Sequence, residues 1–224
     1  MSLMRVLSIH SIIFIALSGN VSAQTVLDKI KDGANKTGSA IGNAASSVGD
    51  TINSTVDLAA DKETPEQSRQ TRDAVAKDTL AKLFSKNKTA KELFDASAGY
   101  AVFDTRKVVT LGVAAGFGRG VAVSKETNKR TYMNMGTGGV GLSLGIGGFE
   151  SQVVILFEKT AGFNSFVTNG YDATAEGGSM FGDDKAEQQV RFVNGRSIFV
   201  LTKKGWKVSA SAAGTKYWPD KDLN

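Results

Sequence analysis

The chain has 224 residues, 41% hydrophobic, with 25 glycines, 2 prolines and a formal net charge of +5. This suits one main domain with appended segments. Cysteine is absent, which excludes disulfides and a cysteine-linked lipid anchor, and the single histidine is His10.

The N-terminus, MSLMRVLSIHSIIFIALSGNVSAQ, has the layout of a secretory leader. Arg5 supplies the positive start, Val6 to Leu17 the mostly apolar stretch, and Val21-Ser22-Ala23 small residues for cleavage. The apolar run is too short and too interrupted to span a bilayer, which takes about 20 residues. Residues 1–23 are therefore predicted to be a signal peptide, and the mature chain to be periplasmic or secreted.

Removal of the leader removes the histidine as well. This rules out Ser-His-Asp and Cys-His nucleophilic machinery in their usual forms, and zinc sites built on His or Cys. A carboxylate-pair hydrolase, a Ser-Lys enzyme or an oxygen-ligand Mg or Ca site stays formally open, but no spaced acidic cluster supports one. Asp183-Asp184 follows Gly177, Gly178 and Gly182 in a polar stretch that reads as a solvated turn. The expectation is no enzyme, no cofactor and no metal.

Residues 24–62 carry Leu27, Ile30, Ala34, Ile41, Ala45, Val48, Ile52 and Val56 at helical spacing. Gly33, Gly38, Gly42 and Gly49 interrupt that stripe, each costing about 1 kcal/mol of helix relative to Ala. Such a segment either orders against a partner surface or serves as a flexible polar spacer. One partner it could meet is a second copy, so self-association through residues 24–62 is an expected contact.

Thr64-Pro65-Glu66-Gln67 then combines an N-cap, a proline at the first helical position and a capping-box Gln. It predicts a helix to about Ser85 with Val75, Leu80, Leu83 and Phe84 on its inner side. Thr89-Ala90-Lys91-Glu92 repeats the signal and predicts a second helix stopping at Gly99. Together they occupy about 65–98, the helical part of a domain set at 63–224, and are expected to cover one sheet face.

Residues 100–218 read as β. Tyr100 to Phe103 forms a short strand, and Leu111 to Val123 a long alternation with Gly and Ala. Leu142, Leu144 and Ile146 alternate with small residues, and Val153 to Phe157 is a continuous apolar run. Asn194-Gly195 is a two-residue hairpin signal, and Lys203-Lys204-Gly205-Trp206 a further turn.

The stretch GTGGVGLSLGIGG, residues 136–148, contains a literal G-x-G-x-x-G. A dinucleotide site needs a helix after those glycines, because the helix N-terminus receives the pyrophosphate. Here the pattern continues with period two, so the glycines read as the small face of a strand and no nucleotide is expected. Such a face allows close backbone approach or a tight bend. The expected fold class is α+β: a curled, largely antiparallel Gly-rich sheet, partly barrel-like, covered by the N-terminal helices.

GYAVFD, VTLGVAAGFGRGVAV, GTGGVGLSLGIGGFESQVVILF and the late GWKVSASAAGTKYW occur in an order that resembles the SYLF domain, across about Leu80 to Trp218. That family includes bacterial secreted lipid-binding proteins and actin-patch-associated yeast proteins. The resemblance implies lipid or membrane-surface binding without catalysis. In eukaryotic relatives an amphipathic segment on the N-terminal side binds phosphoinositide. The matching positions are around Lys77 to Lys91, with Lys82, Lys86, Lys88 and Lys91 as cations. Asp104 and Tyr132-Met133 depart from the family's common residues.

The basic excess of the mature chain falls wholly after residue 98. Its mildness favours anionic lipid over nucleic acid. Candidate lipid-binding cations are Lys82, Lys86, Lys88, Lys91, Arg106, Lys107, Arg119, Arg130, Lys203, Lys204 and Lys207. Arg119, in a Gly-flanked strand, has a second reading as an ion pair to Glu150 or Glu158. Two other classes stand beside lipid binding: an envelope structural or stress protein acting through self-association or a protein partner, and a small outer-membrane barrel. The last is disfavoured by 8% aromatics without girdles.

Overall fold

The computed structural model describes residues 63–110, 113–139, 147–173, 190–202, 205–209 and 214–224. The predicted leader, the segment 24–62, the alternation at 142–146, Asp183-Asp184 and Lys203-Lys204 lie outside the described residues.

Helix α1 (Pro65–Lys86) starts as its sequence dictates. The Gln67 N–H donates to Thr64 Oγ1 at 3.3 Å, and the Thr64 N–H donates to Gln67 Oε1 at 3.0 Å. Helix α2 (Lys88–Ala96) starts ahead of the predicted Thr89 box. Asn87 closes α1 through its N–H to Leu83 O and opens α2 by accepting the Ala90 N–H at 2.9 Å. One residue thus serves two helices, and Thr89 lies inside α2. The helix stops at Ser97, whose hydroxyl donates to Phe94 O, so Gly99 belongs to the following strand.

The strands are β1 (Gly99–Thr110), β2 (Val113–Ser124), β3 (Arg130–Gly139), β4 (Gly147–Phe157), β5 (Tyr171–Asp172), β6 (Arg196–Thr202), β7 (Gly205–Ser209) and β8 (Thr215–Pro219). They form one antiparallel eight-stranded sheet in the order β5-β8-β3-β2-β1-β4-β6-β7. Among the described residues the sheet is open, with β5 and β7 at its edges, and is not closed into a barrel. Asn194 and Gly195 make the predicted turn, with φ of 51° and 75° and a bridge between Val193 and Arg196.

The N-terminal helices cover only one of the sheet's two faces. There α1 and α2 bury Ala76, Leu80, Leu83 and Ala90 against Val102, Val121, Val154, Leu156 and Phe199. The other face is covered by a third helix, α3 (Thr160–Asn169), inside the zone read as all β. Phe163 and Phe166, three positions apart, place both rings on one helical face. They pack on Phe157 at 5.6 and 4.9 Å, and Phe166 also meets Tyr217 at 5.5 Å. Gly170, at φ 74°, ends the helix, because a Cβ there would run into Tyr217 O.

β1 is longer than the expected Tyr100–Phe103 because Asp104 to Lys107 continue the ladder to β2 and β4. Its residues alternate between the two cores, Val102 toward α1 and Ala101 and Phe103 toward α3. On the α3 face β2 presents Gly116, Gly118 and Gly120. A Cβ on Gly120 would meet Val102 O and come within 2.5 Å of the Phe103 ring, so the aromatic lies directly on backbone. The glycine-rich motif begins as strand, with Gly136 and Gly138 in β3, and the Trp218 ring lies over Gly136.

The C-terminus locks α1 onto this sheet. Arg72 Nη2 and Asp220 Oδ2 form an ion pair of 2.7 Å, both side chains buried, and Arg72 Nη1 donates to Met133 O at 3.2 Å. Arg69 Nε donates to Leu223 O, while the Asn224 amide accepts from Tyr132 N–H and donates to Tyr132 O. Breaking one side of a buried pair strands a charge, at about 3–5 kcal/mol, whereas replacing both sides with apolar groups is far milder. Asp220→Ala should therefore lose about that much in urea unfolding, and Arg72→Met/Asp220→Leu should regain most of it. Equal losses in the two variants would refute this account of the lock.

Candidate functional site

The predicted cations separate into four environments. Lys82 and Lys86 are exposed on α1, and Lys88 and Lys91 are exposed on α2, which follows it directly. Lys82 and Lys86 are one helical turn apart, as are Lys88 and Lys91. Lys91 is held by Asp95 at 2.6 Å and lies 5.8 Å over the Phe84 ring. Lys82, Lys86 and Lys88 make no ion pair among the described residues.

The same two helices and the start of β1 hold a half-buried cluster of tilted aromatic rings. Phe84 and Phe94 lie 4.9 Å apart, and Phe94 and Tyr100 5.1 Å apart. Lys125, from the β2–β3 turn, was not among the predicted cations. Its Nζ donates to Phe94 O at 2.7 Å and to Asp95 O at 2.8 Å, and it lies 4.8 Å over the Phe94 ring. An ammonium on the last carbonyls of a helix offsets their partial negative charge. The signal for it was a lysine in a turn, which has no sequence period relating it to α2.

The other cations are engaged elsewhere. Arg106 pairs with Asp104 at 2.8 Å and Glu150 at 3.2 Å on the α1-covered face. Glu150, one acid suggested for Arg119, is thus bound by Arg106. Arg119 stands beside Asp104 in the same cross-strand row, between Asn134 and Asp104. Arg130 pairs with Asp73 at 3.2 Å, and the same carboxylate accepts the Tyr132 hydroxyl. Lys203 and Lys204 lie outside the described residues, as does the side chain of Lys207, whose backbone belongs to β7.

Lys107 departs furthest from the expectation of a surface cation. It points to the α3 face and is only 7% exposed. Burial pushes its ammonium down to about 8, because removing a charge from water disfavours the charged form.

The described residues define an α+β protein: an open antiparallel sheet with helices on both faces and a lysine- and aromatic-rich helical corner. No protein-family model matches the chain. It is similar to beta cell expansion factor A of Aeromonas veronii, at 44% identity over 173 residues. That match covers 74% of this chain and 65% of the relative's own length. None of the described helices is long and apolar enough to cross a membrane.

Two stability effects follow from these environments. Lys125→Ala should cost about 1–3 kcal/mol in urea unfolding, the value of hydrogen bonds from a charged donor. For Lys107 the folded value lies below the unfolded one, so above pH 8 the unfolded state holds more protons and stability rises with pH. The gain between pH 8 and 9.5 should be about 2 kcal/mol and absent in Lys107→Met. Burial raises the phenols of Tyr100 and Tyr132, which act in the opposite direction at higher pH, so the window ends at 9.5. A flat wild-type profile over that window would contradict the burial of the charged amine.

Proposed function

We propose that the protein is a non-enzymatic periplasmic module that binds acidic phospholipid headgroups or the membrane surface through the α1–α2 corner. The observation that supports this reading is a corner of two helices that carries exposed Lys82, Lys86 and Lys88, without ion pairs among the described residues, together with the half-buried rings of Phe84, Phe94 and Tyr100, of which Phe84 lies under Lys91. Lysine ammonium groups take anionic headgroups, while aromatic rings suit the boundary between headgroup and acyl chain. The SYLF resemblance supports the same region independently, since it assigns headgroup recognition to the N-terminal side of the domain. The similar protein is named as a factor for beta cell expansion, a name that specifies no reaction.

Among the described candidate cations, the exposed helical lysines supply the charge such a surface needs. Arg106 and Arg130 are neutralised by carboxylates, and Lys107 lies inside the protein. Each lysine close to an anionic bilayer contributes about 1 kcal/mol, so the four helical lysines together amount to about a thousandfold in affinity. Lys91 adds least, being half offset by Asp95.

The test is co-sedimentation of the mature chain with vesicles that contain or lack anionic lipid, at low and high salt. Binding is expected to need anionic lipid and to fade with salt. Replacing Lys82, Lys86, Lys88 and Lys91 by Glu should abolish it, while Arg106→Gln should leave it within about twofold. No binding under any condition would sink the proposal and favour a soluble envelope scaffold with a protein partner or self-association.

A further inference from the structure

On the α1-covered face, the core beneath the two helices includes the cross-strand row of Val102, Val121, Tyr132 and Val154. Two residues further along the strands, the same face turns polar. Register places Asn134 on β3, Arg119 on β2, Asp104 on β1 and Gln152 on β4 side by side. Tryptophan flanks this row at both ends. Trp218 on β8 stands beside Asn134, and Trp206 on β7 stands beyond Gln152, next to Leu201 on β6. These are the chain's two tryptophans, and both are half-buried. Trp206 packs at the margin of the α1-side core, while the Trp218 ring lies over Gly136 and 6.3 Å from Phe117.

The two amides of the row differ from the charged groups between them. Arg106 holds Asp104 at 2.8 Å and Glu150 at 3.2 Å, and Arg119 has interactions of its own. Asn134 Oδ1 and Gln152 Oε1, by contrast, are enclosed and accept no hydrogen bond. An enclosed amide oxygen without a donor costs stability, so each such atom in a folded protein calls for a reason. Here two of them share one row and one face. By strand spacing they stand about 14 Å apart, across β2 and β1. Both residues are half-buried overall, so their side chains are not sealed inside the core.

We propose that this row is a binding site for a short, uncharged oligosaccharide. Sugar hydroxyls both donate and accept, so they supply the donors that the amide oxygens lack and accept from the amide N–H groups. The apolar faces of sugar rings suit the broad, flat surface of tryptophan, which offers large contact area beside a polar tip. Asp104 and Glu150 balance Arg106 and Arg119, so no net charge here selects an anion. That separates the row from the lysine-rich corner, and the site does not depend on the lipid reading. The separation of the two amides calls for several linked sugars rather than one. A peptide strand would add along a sheet edge, whereas this row crosses the interior strands β3, β2, β1 and β4.

Because both tryptophans lie in the row, intrinsic tryptophan fluorescence reports on this site directly. The mature chain is titrated with N-acetylchitotetraose, cellotetraose and maltotetraose, with calorimetry alongside. At least one probe should shift the emission and saturate with one-to-one stoichiometry. Its affinity should change by less than about twofold between low and high salt, since the ligand carries no charge. Asn134→Leu and Gln152→Met should each weaken binding by about tenfold. Both variants should keep or raise the urea midpoint, because each removes an enclosed oxygen that has no donor. An amide with a merely structural role would lose stability and leave binding unchanged. Replacing Lys82, Lys86, Lys88 and Lys91 by Glu should leave sugar binding as in the wild type. If none of the three probes binds, or if both amide variants bind as well as the wild type, the site is overturned. Vesicle binding that persists in that case leaves the corner reading intact.

Discussion

The Phe103 ring lies directly on the backbone of Gly120, and the two-sided core is organised around that contact. β1 is the central strand of the longest pairings, and every residue from Tyr100 to Lys107 serves one face or the other. Phe103 can reach Phe166 and Tyr217 on the α3 side only because β2 offers no side chain in its path. A sheet covered by helices on both faces must find apolar partners for both parities of its central strands. Here the large residues of β1 and β3 fill that face, and the glycines of β2 make the room.

This arrangement explains which elements were legible in the sequence. α1 announced itself because capping-box chemistry is local, and Thr64, Pro65 and Gln67 interact with one another before any tertiary contact exists. α2 was located but misplaced at its start, since Asn87 caps as well as Thr and nothing local decides between them. α3 was missed for a physical reason. Its sequence TAGFNSFVTN has a glycine, β-branched residues and no side-chain N-cap, so local propensity is weak. It forms because Phe163 and Phe166 find Phe157 and Tyr217 in the sheet, a contact no local pattern encodes.

The cations show the same limit in another form. A sequence displays every Lys and Arg but not the carboxylate that fold topology brings to it. Arg106 meets Asp104 two residues away on the same strand face, but Glu150 arrives only through pairing of β1 with β4. Arg130 is reached by Asp73 from α1, across the top of β3. Conversely, Lys125 became part of the helical corner through the turn that follows β2.

Arg106-Lys107 illustrates why helical cations are the safer inference. In sequence they form one dibasic spot. On a strand, successive side chains point to opposite faces, so the pair is split as soon as β1 forms. Arg106 enters an ion-pair network under the α1 side, and its neighbour enters the interior of the α3 side. On a helix, four residues return a side chain to the same face, so Lys82 and Lys86 add their fields toward one surface. Adjacent charges in β segments therefore divide their effects between two environments, whereas turn-spaced charges in helices combine. A folded sheet with two covered faces divides the first kind between its two sides, whereas the second kind stays together on one exposed helical surface.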